Sequence, residues 1–243
     1  MYKAIKLGLI AVSIIGLAAC SDSPVNSNDD SPQGIGEVTY QLNFNTKWNE
    51  SDFPTGFPSN SHFSPIIGAT HNDQDYLWRT GEPATDGIEV VAETGSTGTY
   101  NSELEQKKIE GNVDNIFIGS SVDSPGATSF RFKVNTAFPY VSAISMIAPS
   151  PDWFVGIRDV NLYVGNTWAD KLVFDLKLYD SGTDTGVTFG ADNADGGKEI
   201  IALLTSFAAD TDINEGVHRS SGKTVGTITL QRVTDGFVNS TEE

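Results

Sequence analysis

The chain has 243 residues, with 32 acidic against 15 basic side chains and a formal net charge of −17. That balance argues against a nucleic-acid partner, because phosphate contact needs a basic face. It also sets the surface against an anionic membrane unless a cation bridges them. The one cysteine, Cys20, excludes an internal disulfide.

The first 19 residues read as a signal peptide: Lys3 and Lys6 precede an apolar run, Ile5 to Ala19, too short to cross a membrane comfortably. Its end, Leu17-Ala18-Ala19-Cys20, resembles the lipobox of bacterial lipoproteins. That resemblance implies lipidation of Cys20, anchoring in the bacterial cell envelope and, with Ser21 next, sorting to the outer membrane. An ordinary secretory cleavage beside an incidental cysteine is the competing reading. Cleavage would remove two lysines and no acid, moving the charge from −17 to −19. Residues 20–36 are Ser, Asn, Asp, Pro and Gly with almost nothing apolar, the composition of a flexible tether. Residues 37–243 are then one domain, of a size that a single all-β fold can fill.

Within that domain seven short runs are rich in β-branched and aromatic residues and are separated by Gly, Pro, Asn and Asp: VTYQLNFNTKW, DNIFIGSSV, TSFRFKVNT, YVSAISMIAPS, VNLYVG, KLVFDLKLYD and GTITLQRV. They predict an antiparallel β-sandwich with one or two short helices. The stretch NSELEQKKIEGNV reads as a helix stopped by Gly111, or equally as a solvated loop. GKEIIALLTSFA has helical spacing at Ile200, Ile201, Leu203, Leu204 and Phe207. No internal repeat points to a solenoid or propeller.

In LVFDLKLYDSGTDTGVTF a period-two strand with one dry face, Leu172, Phe174, Leu176 and Leu178, runs into a turn bearing Asp180 and Asp184. Two carboxylates so close repel unless solvent or a hard cation relieves them. An ordinary polar turn accounts for the same residue types. The three histidines, His62, His71 and His218, fall in no HExxH, and the chain holds no GxSxG elbow or phosphate loop. His62 and His71 read as hydrogen-bonded loop residues, and no enzymatic activity is expected. Trp78, Trp153 and Trp168 fit either a sugar-stacking patch or a sandwich core, with Trp153 reading as core.

Long motifs occur in register along residues 38–205: FPTGFPSNSHFSPIIGATHN, LWRTGEPATDGIEVVAETGST, SMIAPSPDWFVG and WADKLVFDLKLYDSGTDTGVTF. Together they resemble the spondin N-terminal domain, found in F-spondin, mindin and bacterial secreted proteins. The resemblance implies an antiparallel β-sandwich similar to calcium-dependent membrane-binding domains, with long loops at one end. It also implies a calcium ion held by Asp152, Asp180 and Asp184. Vertebrate members pair cysteines near this region, where the chain has Tyr163 and Val164. The expected function is a surface-tethered, calcium-binding module that recognises an extracellular matrix protein or glycan. The membrane is met through the lipid anchor only. The alternative is a secreted hydrolase of polysaccharide or ester using the carboxylates and His71 as acid and base.

Overall fold

The computed structural model describes residues 36–234. The signal peptide, Cys20 and nearly all of the tether lie outside the described residues. In chain order the elements are β1 (Val38–Thr46), β2 (His62–Phe63), β3 (Ile67–His71), α1 (Asp86–Thr94), α2 (Gly98–Ile109), β4 (Val113–Ile118), β5 (Val122–Asp123) and β6 (Gly126–Val134). There follow β7 (Tyr140–Ala148), β8 (Trp153–Asn161), β9 (Tyr163–Val164), β10 (Thr167–Trp168), β11 (Lys171–Asp175) and β12 (Leu178–Asp180). The last four are β13 (Ala202–Leu203), β14 (Ile213–Asn214), β15 (Val217–His218) and β16 (Gly226–Val233).

Two antiparallel sheets face each other. One has the order β11-β16-β1-β6, and the other runs β13-β12-β8-β7-β2-β5, with β3 also paired to β7 and carrying β4 at its outer side. The inward alternation of β1 puts Tyr40, Leu42 and Phe44 against Val141, Ala143, Trp153 and Val155 from the opposite sheet, so both sheets bury one face in a common core. The fold is therefore the expected β-sandwich, and each of the seven segments contributes to a strand.

The second sheet is covered on its outer face as well. Phe154 and Ile144 point away from the sandwich core and pack with Trp78, Ile88, Val91, Tyr100 and Leu104, which belong to the helices and the loop before them. Strands buried on both faces lose the apolar/polar alternation, which explains the nearly continuous apolar run of β7.

α2 is the expected helix of NSELEQKKIEG, with Gly111 just past its end at φ +82°. α1 lies outside the seven strand segments and outside both stretches with helical signals. Thr85 caps it by accepting from Ile88 N, and Gly95 closes it in the left-handed region, donating to Val91 O. GKEIIALLTSFA, in contrast, is not helical. Ile201 exchanges backbone hydrogen bonds with Gly81 and Glu82, and β13 pairs with β12. Extended, the segment sends Ile201 into the helix-side core and Leu204 into the sandwich core. Two cores on opposite sides of one strand supply the apolar pattern that mimics a helix face.

Candidate metal centre

The acidic residues meet at one end of the sandwich. β7 ends at Ala148, and Pro149-Ser150-Pro151-Asp152 turns the chain into β8. Ser150 Oγ accepts from Trp153 N at 3.2 Å and closes that turn. β12 lies beside β8 with Asp180 opposite Trp153, so the turn after β12 folds over Asp152.

Asp152 is fully buried. Its Oδ2 accepts from Thr183 N at 2.8 Å, Ser181 Oγ at 3.0 Å and Asp184 N at 3.1 Å. One carboxylate oxygen thereby organises the whole Ser181-Gly182-Thr183-Asp184 turn. The other, Oδ1, is buried and has no hydrogen-bond partner among the described residues. A buried charged oxygen without a partner is costly, and such groups are normally paired or coordinate a cation.

Asp180 accepts from Gly182 N at 2.8 Å. Burial pushes its pKa up to about 6, and the charge of Asp152 adds to the rise. Gly182 sits at φ +75°, and a Cβ there would come within 2.9 Å of the Glu199 backbone, so the turn requires glycine. Glu93, at the end of α1, also faces this cluster. Its pKa is raised mainly by burial and secondarily by the charges of Glu89, Asp152 and Asp184.

Asp184 is placed differently. Its Oδ1 accepts from Gly186 N at 2.6 Å and its Oδ2 from Ala194 N at 2.7 Å, so both oxygens pin the loop that follows. The structure thus sets Asp180 opposite the residue after Asp152, close enough for the two charges to interact, with Asp184 as a loop anchor. Among the described residues no group of three or more His, Cys, Asp or Glu side chains is drawn into a ligand shell. Glu93 escaped the sequence reading because a Glu near a helix end looks like an ordinary solvated residue.

His71 lies elsewhere. Its Nδ1 donates to Asn72 O at 2.8 Å and its Nε2 accepts from Ser142 Oγ at 2.9 Å. The pair resembles a nucleophile and its base, but Ser142 is 1% exposed and receives the Asp159 amide at 2.8 Å. His71 pairs with Tyr140 at the start of β7, whereas Asp152 follows its end. Strand rise separates them by roughly 25–30 Å, too far for one acid–base pair. His71 and the carboxylates of the hydrolase alternative are therefore not brought together.

Of the tryptophans, Trp78 and Trp153 are buried, and Trp168 packs against Tyr40 and Tyr163, so they form no exposed stacking patch. Trp48 is also core, against Phe57 and Phe189 at 4.9 and 4.7 Å between ring centres.

The family model Spondin_N matches residues 38–222, a span that includes β1 to β15, both helices and all three aspartates. The chain belongs to the spondin N-terminal family. Spondin-2 of Rattus norvegicus is 34% identical over 160 residues, covering 63% of this chain and 48% of that protein. Spondin-2 of Homo sapiens is 33% identical over 159 residues. Spondin-1 of Gallus gallus is 32% identical over 208 residues, 82% of this chain and 26% of its own length. The spondin chain described here spans about half or less of these relatives.

Proposed function

We propose that this spondin domain is a calcium-binding recognition module, held at the surface of a bacterial cell through a lipid on Cys20 and facing an extracellular matrix protein or glycan. The observation that carries the ion is Asp152. Its Oδ1 is buried without a partner among the described residues, and Asp180, an acid whose pKa is raised by burial and by the Asp152 charge, ends the neighbouring strand β12. A cation there offsets both charges. Asp152 and Asp180 would be its direct protein ligands, with Asp184 bracing the loop and able to add an oxygen. Calcium suits a set that mixes carboxylates with carbonyls and water, whereas magnesium demands a stricter octahedron. Bound, the ion supplies charge neutralisation, which orders the turn at Ser181–Asp184 and the loop beyond it. A recognition role is supported by the family of the chain and by loops gathered at one end of a rigid sandwich.

Melting of the full chain in calcium and in chelator tests this. Calcium is expected to raise the melting temperature by several degrees, through preferential binding to the folded state. Asp180→Ala is expected to abolish the rise. Because protons compete for Asp180 below about pH 6, the effect should be larger at pH 7.5 than at pH 5. Equal melting in calcium and chelator at pH 7.5 would remove the ion from the account.

A further inference from the structure

We infer that the cleft beside Asp180 binds a neutral, hydroxyl-rich saccharide, with one face of a hexose ring laid against Phe207. The inference names a ligand class for the recognition end proposed above and rests on that reading. The cleft encloses about 410 Å³, within the range of small-ligand sites. Trp153, Asp180, Val187, Phe207, Asp210 and Asn214 line it.

Two observations separate this cleft from an ordinary surface hollow. Phe207 is 82% exposed and Val187 54%, so two bare apolar side chains converge on one opening. A single scattered hydrophobe would need no explanation, but here two rim one cleft that also carries Asp210 and Asn214. Trp153 carries a buried indole N–H with no partner among the described residues, although buried indoles ordinarily find an acceptor.

The wall bearing Phe207 is prearranged. Arg219 donates from Nη2 to Ile213 O at 2.9 Å and to Ser206 O. Asp210 N donates to Phe207 O at 3.0 Å and closes the tip. Arg219 also lines the cleft and keeps its charge there, with Nη2 tied to carbonyls of its own loop. Asp210 offsets that charge, Asp180 is taken up by the ion proposed above, and the chain as a whole carries −17. That field repels sulfated or carboxylated glycans. Neutral hydroxyls can donate to the Asp210 carboxylate, the Asn214 amide can donate or accept, and the C–H face of the ring covers Phe207. Strand addition by a peptide is less suited, because the backbone of Ile201, next to the edge strand β13, is already paired with Gly81 and Glu82.

The test passes the full chain, in millimolar calcium, over immobilised dextran, mannan and galactan, with alginate as the anionic comparator. Retention on a neutral polymer and elution by the matching free hexose are expected. Phe207→Ala should weaken binding by about tenfold, the order of one aromatic stacking contact, while its melting temperature stays unchanged because the side chain is exposed. Three results would overturn the inference: no retention on any neutral polymer, stronger retention on alginate, or equal retention by Phe207→Ala. Melting of the same samples separates the two readings. A calcium-dependent rise without retention sinks the saccharide and leaves the ion, and retention without that rise does the reverse.

Discussion

Asp184 holds two backbone amides, those of Gly186 and Ala194, with its two oxygens. Asp184→Ala leaves both donors without an acceptor and is expected to cost about 2–4 kcal/mol in denaturant unfolding, with or without calcium. A cost that appears only in calcium would make Asp184 a pure ligand. His71 gives a second residue-scale outcome. Burial lowers its pKa below the ordinary histidine value, outweighing the hydrogen bond to Asn72 and the facing charges of Asp159 and Asp75. With the folded pKa depressed, the unfolded chain takes up a proton first. Stability is therefore full above about pH 6.5 and falls as pH drops toward the lowered value, by at most about 1.4 kcal/mol per pH unit. His71→Gln should flatten that part of the stability profile between pH 7 and 5, and an unchanged slope would assign it to other groups.

Among the elements, the two helices are joined by a polar contact. Glu103 of α2 accepts from Gly87 N at 2.7 Å and from Thr85 Oγ1 at 2.6 Å, so one helix caps the N-terminus of the other. Gly87 permits this approach, since a Cβ there would meet the Tyr100 Cα at 2.6 Å. Glu103→Ala strands donors at the start of α1 and is expected to cost about 1–3 kcal/mol, more than the roughly 1 kcal/mol expected for Thr85→Ala. The reverse order in thermal melts would mean that Thr85 caps α1 unaided. Both cap signals, Thr85 and Gly95, stand in the sequence, yet the segment between them is short and carries Ile88, Val90 and Val91, β-branched residues that locally favour a strand.

At the scale of the described domain, β7 and β8 belong to two cores at once. Val141, Ala143, Trp153 and Val155 serve the sandwich, and Ile144 and Phe154 serve the helix side. Helices and sandwich should therefore unfold together. Leu104→Ala, a cavity in the helix-side core, is expected to cost about 2–5 kcal/mol and to shift a single transition. Separate transitions by near- and far-ultraviolet circular dichroism would show that the helices are an independent layer.

The residues themselves determined the class of fold, because period-two apolar runs bounded by Gly, Pro and Asn can bury a face only as paired strands. They also placed Asp152, Asp180 and Asp184 in two turns, since the turn-forming residues around them are local signals. Tertiary structure alone decided the rest. LVFDLKLYD looks like one strand, but Lys171–Asp175 pairs with β16 in one sheet and Leu178–Asp180 with β8 in the other. That crossing carries Asp180 to Asp152, and no local pattern encodes it. Likewise, Phe207 has the spacing of a buried helix face and is bare, because the extended backbone gives Ile201 and Leu204 a core each and leaves the next apolar side chain at the mouth of the cleft. Side-chain period reports how many faces are dry; which neighbours dry them depends on pairing between segments far apart in the chain.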